Sequence, residues 1–155
     1  MFGGINVLGV VSMRTVAKGR KRAPLESAEQ AALVRWLRRH RVAAFAVPNG
    51  GLRPGRGGVS MRAQGVERGI PDLLIIDRPP FALHFVGVAL ELKRQGGRDS
   101  DVRPEQRDWL ERFDALGWAA GVAFGADAAI VWLRELGFGG GACEGGADGG
   151  SDESL

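Results

Sequence analysis

The chain is poor in several residue types that would otherwise fix its chemistry. It has one cysteine, Cys143, in a glycine-rich stretch near the end. No disulfide framework and no cysteine-based metal site can be built from it, and the composition fits a reducing cytoplasm. Two histidines, His40 and His84, are too few for a histidine-rich metal centre and read as structural. No apolar run is long enough to span a bilayer. The mildly apolar stretch from Phe2 to Met13 is interrupted by glycine and has no basic leader, which makes it a poor signal peptide. Gly-Lys-Ser/Thr does not occur, so the pattern of a phosphate-loop NTPase is absent.

What is present is enough for one domain plus tails: 155 residues, 45% of them hydrophobic. The net charge of +3 hides an asymmetry. Residues 1–72 carry 13 Lys/Arg against 4 Asp/Glu, a net of +9, whereas residues 73–155 carry 8 against 14, a net of −6. A basic half points to a polyanionic partner. The plain alternative is a solvated arginine-rich surface.

The stretch from Ile70 to Lys93 organises the rest. Two apolar, β-branched-rich runs flank Arg78-Pro79-Pro80, which is a strand-turn-strand signal. If they pair as an antiparallel hairpin centred near Phe81-Ala82, Asp72 falls opposite Glu91. Glu91 and Lys93 are two apart and share a strand face. Two carboxylates and one ammonium then converge at one end of a sheet. Such an all-oxygen pair suits a hard divalent cation, Mg²⁺ or Mn²⁺, and a lysine beside it suits hydrolysis of a phosphodiester. The bland reading is a surface hairpin with ordinary charges.

The elements around the hairpin follow in order. Residues 1–23 read as a disordered basic arm, with Arg14, Lys18, Arg20, Lys21 and Arg22 available to nucleic acid or serving only solubility. The first helix runs from Pro24 to about Arg41, opened by Pro24 or Ser27. Two acids, Glu26 and Glu29, flank its apolar stripe of Leu33 and Leu37, and Glu26 matches the stripe best. Val42 to Val47 is a short strand. Pro48 to Gly69 is a long loop with seven glycines and with Arg53, Arg56, Arg62 and Arg68. It reads as a clamp on a phosphate backbone, with a disordered insertion as the competing reading. After a polar loop, Pro104 opens a helix to about Leu116, stopped by Gly117, with Gln106, Trp109, Leu110 and Phe113 inward. Trp118 to Phe124 is a strand, and Asp127 caps a last helix to about Leu136. Residues 138–155 read as a disordered, glycine-rich acidic tail. The result is an α/β domain over 24–137, a mixed sheet with flanking helices.

The ordered series Val47-Pro48-Asn49-Gly50-Gly51-Leu52-Arg53, Met61-Arg62-Ala63-Gln64-Gly65, Gly69-Ile70-Pro71-Asp72, Glu91-Leu92-Lys93 and Pro104-Glu105-Gln106 resembles the VRR-NUC family of PD-(D/E)xK nucleases. The resemblance covers about Glu26 to Gly137. It implies a single restriction-endonuclease-like domain and metal-dependent cleavage of DNA. It places Asp72, Glu91 and Lys93 in the catalytic core, Gln106 beside them, and a first-helix glutamate, here Glu26 or Glu29, among the metal ligands. With Asn49, the loop arginines become the DNA-contacting set. Stand-alone members look like structure-specific enzymes acting on branched or junction DNA in phage or repair settings. A domain this small would cut two strands most simply as a homodimer. Arg103 stands where relatives often have a serine cap. The other readings are a non-catalytic nucleic-acid-binding module and a structural subunit of a phage assembly. Neither needs acids converging near phosphates.

Overall fold

The structure is a computed structural model that describes residues 9–15, 25–47, 63, 65 and 67–140. Asn49, Arg53, Arg56 and Arg62, most of the long loop, the remainder of the N-terminal arm and residues 141–155 lie outside the described residues. In chain order the elements are β1 (Val11–Arg14), α1 (Glu26–Arg39), β2 (Ala44–Ala46), β3 (Leu73–Ile75), β4 (Val88–Lys93), a 3-10 turn at Asp99–Asp101, α2 (Pro104–Ala115), β5 (Ala119–Phe124) and α3 (Ala126–Glu135). The strands form one sheet in the order β1-β5-β4-β3-β2. β1, β5 and β4 run parallel, while β3 is antiparallel to both β4 and β2.

Every residue of β4 and β5 is buried, because helices cover both faces of these central strands. On one face Val88, Leu90 and Leu92 meet Leu33 and Leu37 of α1 and Ala129, Trp132 and Leu133 of α3. On the other, Ala89, Val122 and Phe124 meet Leu110 of α2. Leu33 and Leu37 are 0% and 2% exposed. Each such burial contributes roughly 1.5–3 kcal/mol, which holds α1 to the sheet although its own N-terminus has no side-chain cap. Among the described residues, no helix is long and apolar enough to cross a membrane.

The hairpin register is the one the sequence predicts. Leu73 pairs with Leu90 and Ile75 with Val88, so the next step outward sets Asp72 against Glu91. The restriction-endonuclease-like mixed sheet flanked by helices is the observed architecture.

Four expectations are corrected. Val11–Arg14, assigned to the disordered arm, forms an edge strand on β5. Arg14 anchors it: the guanidinium donates to Gly97 O at 2.6 Å and to Asp99 Oδ1 at 2.9 Å, and lies 3.7 Å over the Phe124 ring. Four residues between glycine and a basic run give no periodicity, so only the waiting edge of β5 reveals them as a strand. α1 is preceded by Leu25 as its N-cap, with Ser27 already inside the helix. The N-cap of α3 is Gly125, with Asp127 in the first turn. Phe138, assigned to the tail, is 5% exposed in the core. It gets there because Gly137, at φ 98°, turns the chain back and lets Phe138 N–H donate to Leu133 O at 2.9 Å.

Candidate functional site

The site lies at the carboxyl end of β4, where open α/β sheets expose the ends of their strands. β3 begins only at Leu73, but β4 continues to Lys93, so the Leu92 N–H lacks a backbone partner from β3. Asp72 supplies one: its Oδ2 accepts from Leu92 N–H at 2.9 Å, while its own carbonyl accepts from Val47 N–H at 3.0 Å. The aspartate is thus held by the end of the sheet. Its approach depends on Gly69, which has a φ of 83° and would drive a Cβ to 2.7 Å from the Glu105 backbone. Neither the dihedral nor the space admits a side chain.

Glu91 and Lys93 share a face of β4, and Lys93 Nζ donates to Glu91 Oε1 at 2.7 Å. Gln106, 2% exposed at the start of α2, donates its amide N–H to the same oxygen. Its Oε1 accepts from Arg103 N–H at 2.9 Å. That bond is half of a capping box. Arginine has no acceptor for the other half, so α2 is fixed through Gln106 rather than through residue 103. α1 packs on the opposite face, yet its first residue, Glu26, reaches the same point: Glu26 Oε1 lies 3.8 Å from Lys93 Nζ. One oxygen each from Glu26, Asp72 and Glu91 lie within 4.8 Å of one another.

Charge is unevenly balanced there. Burial first, and the charge of Asp72 next, push the Glu91 carboxyl up to about 8, against the opposing hydrogen bond and charge of Lys93. Glu91 Oε2 is buried and has no hydrogen-bond partner among the described residues. An orphaned carboxylate oxygen beside two further carboxylates is a donor set suited to a hard divalent cation.

The structure therefore brings together Glu26, Asp72, Glu91, Lys93 and Gln106. Of the two helix acids, Glu26 joins the cluster. Glu29 is buried elsewhere, its Oε2 accepting from Ala126 N–H at 2.8 Å. The helical stripe of Leu33 and Leu37, which Glu26 matches best on the wheel, gives no signal for this, because the donor that buries Glu29 comes from α3. Arg68 is exposed, and its carbonyl accepts from Trp109 Nε1 at 3.0 Å. Arg14, which the sequence left open as a nucleic-acid contact or a solubilising charge, is engaged with Asp99 and Gly97.

Fold and site together define a mixed α/β sheet with an acidic cluster and a lysine at the end of its central strand. A solved structure described as a "VRR_NUC domain protein" shares this fold, with a TM-score of 0.60 at 23% sequence identity over 74% of this chain and 89% of that chain. The likeness establishes the fold, and it agrees with the resemblance carried by the ordered motifs. No protein-family model matches the chain, and no curated protein does.

Proposed function

We propose that the chain is a metal-dependent nuclease that hydrolyses DNA phosphodiester bonds, with Glu26, Asp72 and Glu91 as metal ligands and Lys93 and Gln106 as catalytic partners. The observation that carries this reading is the convergence of three carboxylate oxygens within 4.8 Å beside a lysine. Binding alone gives no reason to place acids where phosphates would lie, because they repel a polyanion unless a cation bridges them. The VRR_NUC neighbour supports the same reaction class.

When bound, Mg²⁺ or Mn²⁺ supplies polarisation of a phosphoryl oxygen and a water of lowered pKa. The chain's own residues do the rest. Asp72, pinned by Leu92 N–H, keeps one carboxylate at a fixed position on the sheet end. Lys93, 9% exposed, holds its ammonium between Glu91 and Glu26, ready to orient the attacking water and stabilise charge on the reacting phosphate. Gln106 holds Glu91 Oε1 and leaves Oε2 for the ligand role. Asn49, Arg53, Arg56, Arg62 and Arg68 contact the DNA backbone. The preferred substrate is branched or junction DNA, cut by a homodimer.

The test is single-turnover cleavage of a panel of branched and linear DNAs with and without Mg²⁺. Wild type cuts only with the cation, and Asp72→Asn does not cut. Metal-independent DNA binding without cleavage by wild type would replace this reading with a non-catalytic nucleic-acid-binding module.

A further inference from the structure

Glu29 is a buried ionisable group that the carboxylate cluster leaves aside. It lies three residues after Glu26 on α1 and is 6% exposed. Its Oε2 accepts from Ala126 N–H at 2.8 Å, and its Oε1 is buried with no hydrogen-bond partner among the described residues. Ala126 is the first residue of α3, and Gly125 before it offers no side-chain cap. The opening turn of α3 therefore needs an acceptor from elsewhere, and a carboxylate suits the positive end of its dipole. Glu29 supplies it from another helix.

The same junction is tied to the strand that bears the site. Gly125 N–H donates to Lys93 O at 2.8 Å. Lys93 Nζ in turn lies 2.7 Å from Glu91 Oε1 and 3.8 Å from Glu26 Oε1. A closed circuit results: Glu29, the start of α3, the end of β4, Lys93 and back to α1 through Glu26. The remaining hold on α1 is mostly apolar packing of Leu33 and Leu37, which is non-directional and tolerates a slide along the axis. A hydrogen bond to a fixed backbone N–H does not tolerate one.

We propose that Glu29 is a positioning residue for the carboxylate cluster: its bond to Ala126 N–H sets how far α1 projects past β4, and so where Glu26 stands relative to Asp72 and Glu91. The inference rests on the reading of that cluster as a divalent-cation site. Glu29 touches neither the cation nor the reacting atoms.

The test is calorimetric titration of Mn²⁺ into wild type, Glu29→Gln, Glu29→Asp and Glu29→Ala, with thermal melts alongside. Residues that orient metal ligands typically affect affinity by about 10–100-fold, and a loss in that range is expected for Glu29→Ala and for Glu29→Asp, whose shorter arm keeps the charge but not the reach. Glu29→Gln keeps an oxygen for Ala126 N–H and should restore affinity close to wild type. A purely structural Glu29 would lower the melting temperature of the variants and leave their Mn²⁺ affinity at the wild-type value, which overturns the proposal. Should Glu29→Ala not fold, Glu29→Asp decides by the same criterion. No Mn²⁺ binding by wild type overturns the metal-site reading and this inference with it; equal binding by wild type, Glu29→Asp and Glu29→Ala overturns the inference alone.

Discussion

Glu91 is 1% exposed, shares one oxygen between Lys93 and Gln106, and leaves the other without a partner among the described residues. Its carboxyl is raised from 4.5 to about 8 in the folded chain, so the metal-free fold holds that proton more tightly than the unfolded chain does. The contribution to stability is fully present below the unfolded value and is lost as pH rises through the folded one. Metal-free wild type should therefore lose stability relative to Glu91→Gln between about pH 5 and pH 8. Added Mn²⁺ should recover more at the upper end, where no proton has to leave. Thermal melts across that range check it, and a pH-independent difference between the two proteins would sink it. Lys93 gives the second prediction at this scale. Lys93→Ala should keep the fold and the metal while cleavage falls by about 10²–10³, the usual loss of one electrostatic donor. Circular dichroism, Mn²⁺ titration and single-turnover rates separate these effects. Wild-type cleavage by the variant would remove the hairpin end from the chemistry.

Among the described residues, the three helices α1, α2 and α3 end in the same way. Leu116, Leu136 and His40 are followed by residues of positive φ: Gly117 at 83°, Gly137 at 98° and Arg41 at 54°. In each case the next residue returns a hydrogen bond to the helix, Trp118 N–H to Phe113 O, Phe138 N–H to Leu133 O and Val42 N–H to Leu37 O. Two of these ends use glycine, for which the left-handed conformation is open, and α1 uses arginine, for which it is strained. Arg41→Gly should relieve that strain and stabilise the chain by up to about 1 kcal/mol, after the greater freedom glycine has when unfolded. Urea unfolding measures it, and a destabilised variant would show that the Arg41 side chain makes interactions that outweigh the strain.

Across the whole molecule, the charge divides at the hairpin that carries the acidic cluster, with a net of +9 over residues 1–72. The loop arginines belong to that half and are the ones assigned to the DNA backbone. Replacing Arg53 and Arg62 together by alanine should weaken duplex binding and shallow the log–log salt dependence by about 0.9 for each phosphate no longer neutralised. Cleavage at saturating DNA should suffer much less, because neither residue belongs to the carboxylate cluster. An unchanged salt slope would argue that the loop does not touch the backbone. The molecule also adds an edge strand to its sheet, since Arg14 ties β1 to the loop that follows β4. That takes one cation out of the basic arm and makes it structural.

Local sequence anticipated the hairpin, its register and the shared face of Glu91 and Lys93, because a turn centred near Phe81-Ala82 sets Asp72 opposite Glu91 and the period of two puts residues 91 and 93 on one face. It also determined α2 and its glycine stop, since Pro104 and Gly117 act through their own backbone dihedrals. Tertiary structure decided the rest. Glu26 and Glu29 are nearly equivalent on a helical wheel, and they separate only because Ala126 N–H waits for one and Lys93 for the other. β1 becomes a strand because β5 offers it a parallel edge, and Phe138 belongs to the core because the end of α3 turns it inward. Each of these outcomes depends on a partner distant in the chain or on a packing surface that a local pattern does not encode, except for Phe138, whose glycine turn stood in plain view at Gly137.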